Sequence, residues 1–203
     1  MNRETLGASV VALLLMASVA SAQQPQMARV RGTIANVNGE VLTVTGRDGT
    51  PMTVKLADNA PVRTVVKMSL ADVKQGSFVG ITAMPQPDGT QKAVEIHIFP
   101  ESMRGTGEGH RPWDLMPNST MTNANIDSAV VVNDGQELVL KYKDGEKKFT
   151  VPANVVVVMF APASAADLKP GAKVFVAAAK KLPDGTVEAP NITVSRDGVD
   201  PPM

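Results

Sequence analysis

Cysteine is absent from all 203 residues. That excludes disulfides, thiolate metal centres, a cysteine nucleophile and a lipoprotein anchor. Aromatic residues make up only 3% of the chain, so the core must be built from Val, Leu, Ile and Ala. Excess charge of either sign is also missing: 20 Lys and Arg balance 20 Asp and Glu. A groove that tracks a phosphate backbone needs a positive excess and stacking rings. Nucleic acid is therefore not expected as a partner. Only two histidines occur, His97 and His110. Neither a Gly-x-Ser-x-Gly elbow nor a Walker phosphate loop is present. The expectation is a protein that is not an enzyme.

What is present begins with an address. Arg3 lies ahead of an apolar stretch from Val10 to Val19, followed by Ala20-Ser21-Ala22. This is the three-part secretory signal pattern, with cleavage expected after Ala22. The stretch is short of the roughly 20 apolar residues that cross a bilayer. No later run is long enough, so no membrane span is expected after residues 1–22 are removed. The expected location is periplasmic or secreted.

An internal repeat organises the remainder. Ser69 to Gly76 reads Ser-Leu-Ala-Asp-Val-Lys-Gln-Gly, and Ser164 to Gly171 reads Ser-Ala-Ala-Asp-Leu-Lys-Pro-Gly, 95 residues on. Pro87-Asp88-Gly89-Thr90 returns as Pro183-Asp184-Gly185-Thr186, and Asp48-Gly49 as Asp144-Gly145, both 96 residues on. Asp-Gly between alternating apolar residues is a strong hairpin signal. Each half predicts two hairpins with a short helical turn between them. Ser69 and Ser164 cap that turn, with Asp72 and Asp167 three residues later.

The expected fold is all-β: two tandem small Greek-key barrels of OB type, each with one short helix, joined by an ordered linker. A pair of open sandwiches is the alternative. The expected boundaries are 28–100 for the first barrel, 101–120 for the linker, 121–197 for the second barrel and 198–203 for a tail. The apolar run Val155 to Phe160 predicts a strand buried on both faces, between the barrels. Arg31-Gly32-Thr33-Ile34, the Asp48-Gly49 hairpin, the Ser69 to Gly76 turn and Ala93-Val94-Glu95-Ile96 together resemble bacterial domain-of-unknown-function family 5666. That resemblance implies exported OB-like barrels, here in tandem, and carries no assigned activity.

Features shared by both halves belong to the fold; features in one place only are candidates for function. The segment from Glu101 to Thr120 has no counterpart. It holds the single Trp and the run Arg104-Gly-Thr-Gly-Glu-Gly-His-Arg-Pro-Trp-Asp114. Arg104, Glu108, His110, Arg111, Trp113 and Asp114 are the candidate residues for binding a partner, whether a periplasmic protein, a small molecule or a saccharide. The alternative is that Trp113 packs between barrels while Arg104, Arg111, Glu108 and Asp114 tie the loop down. A metal reading stands beside these. Glu108, His110 and Asp114 suit a divalent ion such as zinc, and Met103, His110, Met116 and Met121 suit copper, which favours thioethers. The bland account of the methionines is gap-filling in an aromatic-poor core. His97 shares a strand face with Glu95, opposite Val94, Ile96 and Ile98, and is expected in solvent.

Overall fold

The computed structural model describes residues 26–133 and 135–201; the expected signal segment lies outside them. The chain is all-β and contains a closed barrel. Its strands are β1 (Met27–Asn38), β2 (Val41–Gly46), β3 (Pro51–Leu56), β4 (Val62–Met68), β5 (Phe78–Pro85), β6 (Gln91–Ile98), β7 (Gly109–Pro112), β8 (Thr120–Val132), β9 (Gly135–Tyr142), β10 (Gly145–Pro152), β11 (Val156–Pro162), β12 (Lys173–Lys181), β13 (Val187–Ala189) and β14 (Ile192–Val194).

The hairpins form where Asp-Gly predicts them. β2 pairs with β3, β5 with β6 and β9 with β10, all antiparallel. In the first two turns the Asp carboxylate accepts the amide two residues on: Thr50 N to Asp48 Oδ1 is 3.0 Å and Thr90 N to Asp88 Oδ1 is 2.9 Å. Gly49 and Gly89 take φ of 83° and 84°, a left-handed geometry that costs glycine little. The helical turns are single 3-10 turns, Leu70–Asp72 and Ala165–Asp167. Asp72 and Asp167 reach back to the Ser69 and Ser164 amides at 2.9 and 2.8 Å, which is the predicted capping box.

The strands close two rings. One runs β1–β2–β3–β13–β12 and back to β1, and the other runs β8–β9–β10–β6–β5 and back to β8. Each ring takes three strands from one half of the chain and its closing strands from the other. The two apolar cores record the same exchange. Val30, Ile34, Leu42, Val44 and Val54 pack with Val174, Val176, Val187 and Val194. Val79, Ile81 and Ile96 pack with Ile126, Leu138, Leu140 and Phe149.

The boundaries 28–100 and 121–197 therefore need correction, because neither half closes on itself. β4 and β11 pair antiparallel, and β4 continues into β14 while β11 continues into β6, so one hydrogen-bonded sheet system joins both rings. The physical reason lies in the repeat. Alternation specifies which face of a strand is buried, and both copies present the same alternation, so it cannot specify which copy supplies the neighbour. β11 occupies the predicted place between the rings: Val157 and Val158 are buried at 2% and 1% exposure. Gly32 shows how closely β1 and β2 approach, since a Cβ there would stand 2.2 Å from the Thr45 carbonyl oxygen.

Candidate functional site at the seam between the rings

The insert after β6 makes hydrogen bonds to both rings. Arg104 anchors it to the second ring, bonding the Glu101 carboxylate, the Asn125 side chain and, at 3.1 Å, the Gly76 carbonyl. Glu108 Oε1 accepts the Lys143 amide at 3.1 Å, and Asn123 Nδ2 donates to the Thr106 carbonyl at 3.0 Å. β7 then adds an edge strand to β8. Beyond it, Trp113 and Ser119 close a loop: the Trp113 amide donates to the Ser119 carbonyl at 2.8 Å.

This loop lands on the first ring. Asp114 accepts from Arg31 at 2.9 Å and stands 3.7 Å from Arg29. Arg47 donates to the Leu115 carbonyl at 3.2 Å. The Trp113 ring lies edge-on to Phe175, with centroids 6.3 Å apart. Three guanidiniums surround that indole, Arg29 at 4.1 Å, Arg111 at 5.5 Å and Arg31 at 5.6 Å, within cation–π range.

The scarce aromatics gather here. Of seven in the chain, five meet along the seam. Phe78 touches Phe99, Phe99 and Phe160 flank His97, and Trp113 meets Phe175. Between them opens a pocket of about 210 Å³, whose lining includes Arg63, Arg111, Trp113, Phe99, Phe160 and Phe175. Among the described residues, no carboxylate pairs with Arg63 or Arg111. A larger recess of about 330 Å³ beside Arg47 and Lys173 lacks aromatic walls, and Lys173 there is already paired with Asp200.

Beneath the pocket the seam holds polar groups without partners. Among the described residues, nine buried side-chain atoms lack a hydrogen bond, and seven belong to Arg31, Glu95, His97, Trp113 and Asn123. Native cores contain few such atoms and rarely concentrate them. His97 is the main correction to the sequence reading. It is fully buried, with its ring centroid 3.7 Å from that of Phe160. The face it shares with Glu95 looks towards the other ring rather than towards water. Burial pulls the His97 pKa down to about 3 and pushes Glu95 up to about 8, against the opposing influence of the Thr82 hydroxyl and Arg31. Glu95 is thus largely neutral at neutral pH and does little to cancel the arginines. Burial also lowers Arg31 and Arg111, with Asp114 opposing it at Arg31.

The sequence candidates separate into groups. Arg111, Trp113 and Asp114 come together at the seam. Arg104 and Glu108 hold the insert in place and do not line the pocket. Neighbours on a strand face opposite ways, so Arg111 lines the pocket while His110 turns away to Thr122, Nδ1 to Oγ1 2.7 Å. Burial, then Lys147 and Arg111, lowers the His110 pKa.

This geometry corrects the metal readings. Met103 and Met121 line the pocket, but His110 is on the other face of the β7–β8 ladder and Met116 lies in the loop closed by Ser119. Glu108 and Asp114 are engaged with Lys143 and Arg31. Among the described residues, no group of three or more His, Asp or Glu could hold a metal ion. Sequence reasoning missed Arg29, Arg31, Arg63, Phe99, Phe160 and Phe175. The available signal was the placement of the few phenylalanines, together with Arg29 and Arg31 flanking the inward Val30.

The protein is thus defined as an all-β molecule with exchanged strands and an aromatic, arginine-lined pocket where its two rings meet. No protein-family model matches the chain, and comparisons with curated proteins and with solved structures find no significant match.

Proposed function

We propose that the protein is an exported, non-enzymatic binding protein whose seam pocket takes a small molecule. One observation carries this reading: four of the seven aromatics, and two arginines that pair with no carboxylate among the described residues, line one pocket roofed by the unrepeated insert. Such groups bind and orient. Glu95 and His97, the buried pair suited to proton transfer, lie at 1% and 0% exposure and have no access to a bound molecule. Each ring's strand order, with a capped turn ahead of β5 or β12, supports an OB-like reading in which each barrel borrows strands four and five from the other copy. The Ala20-Ser21-Ala22 pattern supports export, and the mature chain then begins at Gln23.

The single Trp makes the test direct. A broad panel of small molecules is titrated into the purified protein while Trp113 emission and melting temperature are followed. A saturable change with a rise in melting temperature is expected for at least one class, as mass action requires. A panel without any such response overturns the reading. Mass spectrometry of the exported protein checks the start at Gln23.

A further inference from the structure

The pocket is small, and its size selects among ligands. Drug-sized and nucleotide ligands occupy roughly 300–1,000 Å³, more than the 210 Å³ here. An apolar cavity of about 150 Å³ accommodates benzene, and a water molecule's share of liquid volume is about 30 Å³. One six-membered ring therefore fills most of the pocket and leaves about 60 Å³, room for a carboxyl group, with any further substituent projecting through the open mouth.

The walls name the chemistry of each part. Phe99, Phe160, Phe175 and Trp113 offer faces and edges to a flat ring, which favours offset or edge-on aromatic contact. Arg63 and Arg111 supply planar donors that match a carboxylate in geometry and charge. Arg111 spends one nitrogen on the Gly107 carbonyl at 2.7 Å, which fixes its position. Arg63 lies 5.8 Å from the Phe160 ring centroid and makes no side-chain hydrogen bond among the described residues. Arg29 and Arg31 lie 4.1 and 5.6 Å from the Trp113 ring and share the Asp114 carboxylate, two cations against one anion.

We infer that the seam pocket binds a single-ring aromatic acid, its ring among Phe160, Phe175 and Trp113 and its carboxylate between Arg63 and Arg111. This rests on the binding reading above and narrows it to one chemical class. The pocket lining draws Phe175 from the first ring, Met121 and Asn123 from the second, and Trp113 and Arg111 from the insert. Occupancy therefore ties the insert to both barrels.

Benzoate, benzamide, acetate, inorganic phosphate and glucose are titrated separately into the full chain, read by Trp113 emission and calorimetry. Benzoate is expected to bind saturably, with benzamide at least about tenfold weaker, and with no response to acetate or phosphate. Arg63→Gln is expected to weaken benzoate about ten- to hundredfold without moving the melting temperature. Ala177→Phe, at the pocket lining, is expected to block benzoate and benzamide alike. Equal binding of benzamide and benzoate, or unchanged benzoate affinity in folded Arg63→Gln, overturns the aromatic-acid assignment. Binding of glucose without benzoate overturns it too, yet leaves the binding function standing. Failure of all five probes together with the broad panel removes both.

Discussion

Nδ1 of His97 stands 4.0 Å from Oε1 of Glu95, beyond hydrogen-bonding distance, although both side chains are shut off from solvent. Each is neutral in the fold over a span of pH in which its unfolded counterpart is charged, 4.5 to about 8 for Glu95 and about 3 to 6.5 for His97. Glu95 binds its proton more tightly when folded, so it costs stability as pH rises from 4.5 to about 8. His97 binds its proton less tightly when folded, so it costs stability as pH falls from 6.5 to about 3.

The two slopes cancel between pH 4.5 and 6.5. Urea unfolding is expected to show a plateau there, with stability declining above 6.5 because of Glu95 and below 4.5 because of His97. Glu95→Gln should flatten the alkaline limb between 6.5 and 8 and extend the acid limb up to 6.5, because the His97 slope is no longer cancelled. His97→Gln should do the reverse. An alkaline limb unchanged in Glu95→Gln would remove the assignment.

Trp113 is half-buried and touches only part of the seam. Its replacement by Ala should destabilise the fold by about 1–3 kcal/mol, less than the ~3–5 kcal/mol for a fully enclosed aromatic. The variant should remain folded because both main cores are built without it. Chemical denaturation measures the difference. A loss near zero would mean that the insert does not dock through this residue.

Ser69 Oγ accepts the Ala71 amide at 3.1 Å while Asp72 returns to the Ser69 amide. Ser69→Ala should cost about 1 kcal/mol. Asp167→Ala at the equivalent turn should be costly too, and the double variant should show additive loss, since the turns sit in separate rings. Thermal melts of the two single variants and the double variant settle this.

Strand exchange predicts the behaviour of halves. Residues 26–100 alone lack the closing strands of one ring and the first three strands of the other. As a monomer this fragment should show no cooperative melt. Mixed with residues 101–201, it should regain one. A cooperatively melting monomeric half, measured by light scattering and calorimetry, would contradict the exchanged pairing.

Gly32→Ala places a methyl group 2.2 Å from the Thr45 carbonyl oxygen, backbone that cannot swing aside, and 2.7 Å from Val44 Cγ1. It should lower soluble yield sharply, or cost several kcal/mol in any folded fraction, on the order of the larger core defects. Gly39→Ala serves as the control, since a Cβ there meets nothing within 4 Å and only its φ of 59° opposes the change.

The local structure was readable before the fold. Asp48, Asp88 and Asp144 with their following glycines set the hairpins. Ser69 and Ser164 with Asp72 and Asp167 set the turns. These depend on neighbours within a few positions, where residue type and backbone geometry are directly coupled. The insert between Glu101 and Thr120 also stood out, because the repeat served as its own control. Arg111, Trp113 and Asp114 were found that way.

What alternation left open was the partner of each strand. β3 meets β13 rather than β6, and β1 meets β12 rather than β5, although either choice buries the same faces. His97 was expected in solvent because its strand shows two faces and only one looked apolar. The second face became interior once β11 and the other ring lay against it. Arg63, Phe99, Phe160 and Phe175 entered the site the same way. A sequence period describes one strand's two sides; what covers the second side is decided by contacts between residues far apart in the chain, which only the closed tertiary structure supplies.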